Sequence, residues 1–195
     1  PNNATYLVNL GNILRNLGKL KEAELSTRKA IHINPNYFLA HNNLGSILMD
    51  FGELKEAELS FHKAININPN LSTLYQNLGN ILYDQNKLEE SEKVTRQAIQ
   101  MNPDLADAHF NLGAVLKDLG KLKDAELSTR KAIQLNPNLA EAHSNLGSIL
   151  KDLGNLKDAE LSTRKAIQLS PNLAEAYCHL SELELLNGKY HAGLE

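Results

Sequence analysis

Tryptophan is absent and aromatic residues make up only 5% of the 195-residue chain, so any core must be built from aliphatic and small side chains. The one cysteine, Cys178, has no partner for an internal disulfide. On a helical pattern it reads as a small packing residue, which fits a reducing, cytoplasmic compartment. No apolar run approaches the roughly 18 residues of a membrane span, and no secretory leader pattern opens the sequence, so a membrane partner is not expected. Charge is balanced too: 20 basic and 23 acidic residues leave a formal −3, without the basic footprint of a nucleic-acid binder. Phosphate loops, nucleophile elbows and zinc-type ligand spacings are missing. The chain is therefore read as non-enzymatic, with no catalytic residue, metal ligand or cofactor. Asn3 and Asn70 sit in Asn-x-Ser/Thr patterns, read as chance in so asparagine-rich a chain.

What is present is a period. The six prolines stand at 1, 35, 69, 103, 137 and 171, a constant 34 residues apart, and such a period predicts one elongated array over 1–195. Units counted from the third residue after each proline run over about 4–37, 38–71, 72–105, 106–139 and 140–173, with a partial sixth at 174–195. The last two complete copies, compared proline to proline, differ at only seven places.

Within a unit, apolar or small residues fill the fourth, seventh, eighth and eleventh places, as in His41, Leu44, Gly45 and Leu48, which is helical spacing. The fifteenth place holds Gly18, Gly52, Asn86, Gly120, Gly154 and Gly188, residues that tolerate a left-handed helix stop. A second amphipathic run follows and ends at an Asn-Pro or Ser-Pro step, where proline and the restriction on its predecessor stop it. Each unit is thus two short antiparallel helices, stable only by stacking on its neighbours.

Glycine at the eighth place (Gly11, Gly45, Gly79, Gly113, Gly147) and alanine at the twentieth and twenty-seventh predict close helix contacts. Glu24/Arg28, Glu92/Arg96, Glu126/Arg130 and Glu160/Arg164, each acid four residues before its base, predict a solvated outer face. His41, His109 and His143 share the fourth place with Tyr75 and Tyr177, a packing position with a polar tip rather than a metal site. Leu183, Leu185, Leu186 and Leu194 of the partial unit are expected to lack a complete partner helix. That suggests a cut chain that associates end to end for want of a polar cap.

A 34-residue helix-turn-helix unit with Leu-Gly at its seventh and eighth places, alanine at the twentieth and twenty-seventh and proline at the thirty-second resembles the tetratricopeptide repeat. The resemblance covers the whole chain and implies an all-α, right-handed superhelical solenoid. Departures are a lighter fourth place, Thr27, Thr95, Thr129 and Thr163 at an often aromatic twenty-fourth place, and Ser91 and Gly193 in place of the first alanine.

At 100° per residue, the second, sixth, ninth and thirteenth places lie opposite the apolar stripe of the first helix, on the face expected to line the concave surface. The sixth place reads Asn9, Asn43, Asn77, Asn111 and Asn145. Asparagine is a mediocre helix former, so helix stability does not explain the row. A carboxamide carries both a donor and an acceptor, matching a peptide bond. Helices ~8–10 Å apart would meet about every third amide of an extended chain rising ~3.3 Å per residue. Alternatively, each asparagine bonds a neighbouring helix and sets register.

The row is similar to the asparagine ladder in the tetratricopeptide region of O-linked N-acetylglucosamine transferases. That resemblance implies an extended polypeptide partner held by its main chain, with Asp107, Glu141 and Glu175 as counterparts of family carboxylates; Thr5, Leu39, Thr73 and His179 depart from it. Lys117 and Lys151 at the twelfth place, beside acidic residues at the thirteenth, complete the candidate peptide-binding set. The function expected is an interaction scaffold, with the substrate-recruiting region of a larger enzyme, for example a glycosyltransferase, as the alternative.

Overall fold

The computed structural model describes residues 3–186 and 188; over these it contains eleven α-helices and no strand. The chain divides into two compact units. The first, Pro1–Pro103, contains α1 (Ala4–Asn16), α2 (Leu20–Ile33), α3 (Phe38–Phe51), α4 (Leu54–Ile67), α5 (Ser72–Asp84) and α6 (Leu88–Met101). The second, Asp104–Glu195, contains α7 (Ala106–Asp118), α8 (Leu122–Leu135), α9 (Ala140–Asp152), α10 (Leu156–Leu169) and α11 (Ala174–Leu186). In each, a second helix packs on its own first helix and on the next one, α2 on α1 and α3, α8 on α7 and α9, and so on. This is a solenoid of helix pairs, as the period predicts.

Local chemistry sets the helix ends. Gly52 stops α3 in the left-handed region at φ 79°, and its amide and that of Glu53 turn back to the carbonyls of Met49 and Leu48. Asn86, at φ 59°, does the same after α5. Second helices end on extended residues before proline, Asn34 at φ −136°, ψ 91° being representative. Asn3 caps α1, its Oδ1 accepting from Thr5 N at 2.9 Å.

The small residues allow close helix approach. A Cβ on Gly147 would stand 2.2 Å from Thr163 Oγ1, and one on Gly45 would stand 2.6 Å from the Phe61 ring. Ala23, Ala30, Ala57, Ala64, Ala125, Ala132, Ala159 and Ala166 are all fully buried. The four Glu/Arg pairs form on the outer helices: Arg28–Glu24 at 2.7 Å, Arg96–Glu92 at 3.0 Å, Arg130–Glu126 at 2.8 Å and Arg164–Glu160 at 2.9 Å.

One expectation needs correction. Leu183 does not lack a partner: it is 0% exposed, packed with Leu146, Leu150 and Ala159, because the tenth place of a first helix is covered by the preceding pair. Leu185 and Leu186 are exposed as expected. Gly193 and Leu194 lie outside the described residues.

Candidate functional site

The sixth-place asparagines do not share one environment. In the first unit Asn43 is 4% exposed. Its Nδ2 donates to Thr27 Oγ1 on α2 at 3.1 Å and to the carbonyl of Val8 on α1 at 3.4 Å. Thr27 belongs to the preceding pair, sixteen residues upstream, and is itself seated against Gly11. The second unit repeats the device: Asn145, 7% exposed, donates from Nδ2 to Thr129 Oγ1 on α8 at 3.4 Å. Asn77 has Phe61 instead of threonine sixteen residues upstream, and a phenyl ring accepts no ordinary hydrogen bond. Its Nδ2 turns to Asn42 Oδ1 on α3 at 2.8 Å, and the side chain stays half-buried. Asn9 is exposed and makes no side-chain hydrogen bond among the described residues; Asn111 is half-buried.

Asn43 and Asn145 thus use their amide nitrogens in contacts between helices, the kind of contact that the alternative reading of the row calls for. Asn43 and Asn77 accept no hydrogen bond at Oδ1 among the described residues. Sequence reasoning missed the threonines and Asn42 as partners. Their signal was the recurrent offset of sixteen between Thr27 and Asn43 and again between Thr129 and Asn145.

The flanking candidates are separated. Asp107, Glu141 and Glu175 are exposed at the starts of α7, α9 and α11. Lys117 and Lys151 are half-buried near the ends of α7 and α9. Ten residues at ~1.5 Å of rise put roughly 15 Å between the second and twelfth places of one helix, so acids and lysines form two strips rather than one cluster. Lys151 is engaged by Glu182 of α11.

His179, which takes the asparagine position in the partial unit, is seated on Ser144, with Nδ1 and Oγ 3.2 Å apart, and 3.8 Å from Glu175. Burial holds its pKa below the ordinary histidine value. Glu175 and Glu182 pull it up and Lys117 and Lys151 push it down, without reversing the direction. In the first unit Arg15 and Asp50, at the twelfth and thirteenth places, form a two-point ion pair at 2.6 and 3.1 Å. The fourth-place histidines carry the polar tip expected: His41 and His143 bond through Nε2 to the carbonyls of Pro35 at 2.8 Å and Pro137 at 3.0 Å. No described helix is long and apolar enough to cross a membrane.

Solved structures with the same fold include YrrB, described as a TPR protein with an unusual peptide-binding site. It has 23% identity over 91% of this chain and 91% of that one, with a TM-score of 0.68. A thermophilic TPR protein of Thermus thermophilus has 24% identity over 93% and 99%, with a TM-score of 0.77. The Cut9–Hcn1 hetero-tetramer of APC/C reaches a TM-score of 0.90 at 17% identity, over 96% of this chain and 37% of that one. No curated protein matches. The family model described as "TPR repeat" matches residues 79–120. Two models described as "Tetratricopeptide repeat" match residues 4–37 and 106–139, and 38–71 and 140–173, in the register of the proline period. The chain belongs to the tetratricopeptide repeat family.

Proposed function

We propose that residues 1–195 act as a protein-interaction scaffold that holds an extended polypeptide along the first helices, through the asparagine row and its flanking acidic and basic strips. The observation that carries this reading is Asn77. Its amide nitrogen is fixed by Asn42, while its own oxygen accepts no hydrogen bond among the described residues, on a half-open surface. A bond that sets register also immobilises the carboxamide, so a ligand's main-chain N–H meets an acceptor already oriented. Prior ordering of that kind raises affinity by cutting the cost of binding. Register and recognition are then two uses of one side chain. The peptide-binding site named for YrrB, on the same fold, supports the class of ligand.

Asn9 supplies the clean test, since it is exposed and has no side-chain hydrogen bond among the described residues. In fluorescence titrations with extended peptides selected from a library, Asn9→Ala with Asn77→Ala should weaken binding by about tenfold or more, given ~1 kcal/mol per neutral hydrogen bond lost. Asn9→Ala alone should leave the melting temperature unchanged. Unaltered affinity in the double variant would overturn the reading.

A further inference from the structure

The outer side of the first unit carries a groove that the asparagine row does not use. Between α2 and α4 a hollow of about 450 Å³ is floored by Ile31, Leu44 and Leu48 and walled by Leu59. It continues into a second hollow of about 410 Å³ through shared Ile31, His41 and Lys63. Leu59 is 62% exposed and, with the half-buried Ile31, gives the hollow an apolar lip.

The rim is polar in a directed way. At one end Arg28 of α2 is saturated, bonded to Glu24 at 2.7 Å and reaching Glu56 of α4 at 3.5 Å. Hydrogen bonding to Glu24, opposed by partial burial and aided by the charges of Glu24 and Glu56, raises its pKa further, so it stays cationic and occupied. One turn further on, at places i+4 from Arg28 and Leu59, stand His32 and Lys63, both exposed and both without a carboxylate partner among the described residues. The groove is therefore apolar along its floor, net acidic at the end where Arg28 meets Glu24 and Glu56, and cationic at the Lys63 end.

We propose that this groove docks a short partner segment in which one or two large apolar side chains are followed directly by acidic residues. The apolar groups would cover Ile31 and Leu59, and a carboxylate would be met by Lys63 and His32. A volume of about 450 Å³ lies within the ~300–1,000 Å³ of ordinary ligand pockets. The hollow is lined by no asparagine of the sixth-place row.

The test is NMR titration of the isotope-labelled 195-residue chain with the capped hexapeptide Ser-Leu-Phe-Glu-Asp-Gly. Expected are shift changes at the amides of Ile31, His32, Leu59 and Lys63. Affinity should fall about tenfold or more in Lys63→Glu, where one charge-assisted contact is reversed, and in Leu59→Ser, whose exposure leaves the fold intact. A control peptide with lysines for the two acids, or alanines for Leu-Phe, should not bind. The proposal is overturned by shifts confined to Asn42 and Asn77, by unchanged affinity in Lys63→Glu, or by no shifts at millimolar peptide.

Discussion

Four threonines at the twenty-fourth place look interchangeable in the sequence, yet they differ in what their hydroxyls do. Thr27 Oγ1 accepts from Asn43, Thr129 Oγ1 accepts from Asn145, and Thr163 Oγ1 donates to the carbonyl of Ala159 at 2.9 Å. Thr95 Oγ1 is buried without a partner among the described residues. Removing one member of a buried pair strands the other, at about 1–3 kcal/mol, whereas deleting an unpaired hydroxyl costs nothing of that kind. Thermal unfolding of Thr27→Val should therefore show a loss of that order, with Thr95→Val neutral or slightly stabilising. His179 gives a pH-dependent prediction at the same scale. Its folded pKa lies below the ordinary value because burial disfavours the cation, so the unfolded chain binds the proton more readily. Stability is then full above the unfolded pKa of about 6.5 and declines as pH falls from there towards the folded pKa. In denaturant titrations between pH 8 and 5, as roughly spans this window, His179→Asn should flatten that decline by removing the titrating group.

At the scale of the helix, Phe61 shows how one substitution changes a repeat. Four units place threonine there, but Phe61 is fully buried on α4, in a cluster with Leu44, Leu48, Leu78 and Leu82. Matching the other units would delete a ring from that cluster. We expect Phe61→Thr to cost about 3–5 kcal/mol in chemical denaturation, even though it restores the majority residue. A neutral result would mean that α3 and α4 close over the gap. The helices themselves were legible in advance: proline, glycine and the apolar stripe place every boundary close to where it falls. The pairing of Asn77 with Asn42 was not legible, because it follows from the size of a residue on a different helix.

For the whole molecule, repetition makes exposed surface easy to recognise. At the tenth place Ile47 and Ile81 are 0% exposed, covered by the preceding pair, whereas Ile13 of α1 is 57% exposed, together with Tyr6 and Leu17. We propose that this strip drives end-to-end association of the 195-residue chain at high concentration. Sedimentation at millimolar protein should show oligomers, and Ile13→Glu should return them to monomer without loss of helix content. Monomer alone in the unsubstituted chain would sink the idea.

Period, helix pairing, left-handed stops and the small contact residues could all be read from the amino acids alone. Each depends on chemistry within a few residues, a proline, a glycine or a 3.6-residue stripe, and five complete copies with a partial sixth amplify the signal. Which asparagine is spent between helices, that Leu183 is covered, and where an apolar groove opens beside an unpaired lysine could be settled only in three dimensions. Those outcomes are decided by side chains sixteen to thirty-seven residues apart that meet when one helix pair stacks on the next. At Asn77, where Phe61 stands in place of threonine, the amide nitrogen is bonded to Asn42 instead.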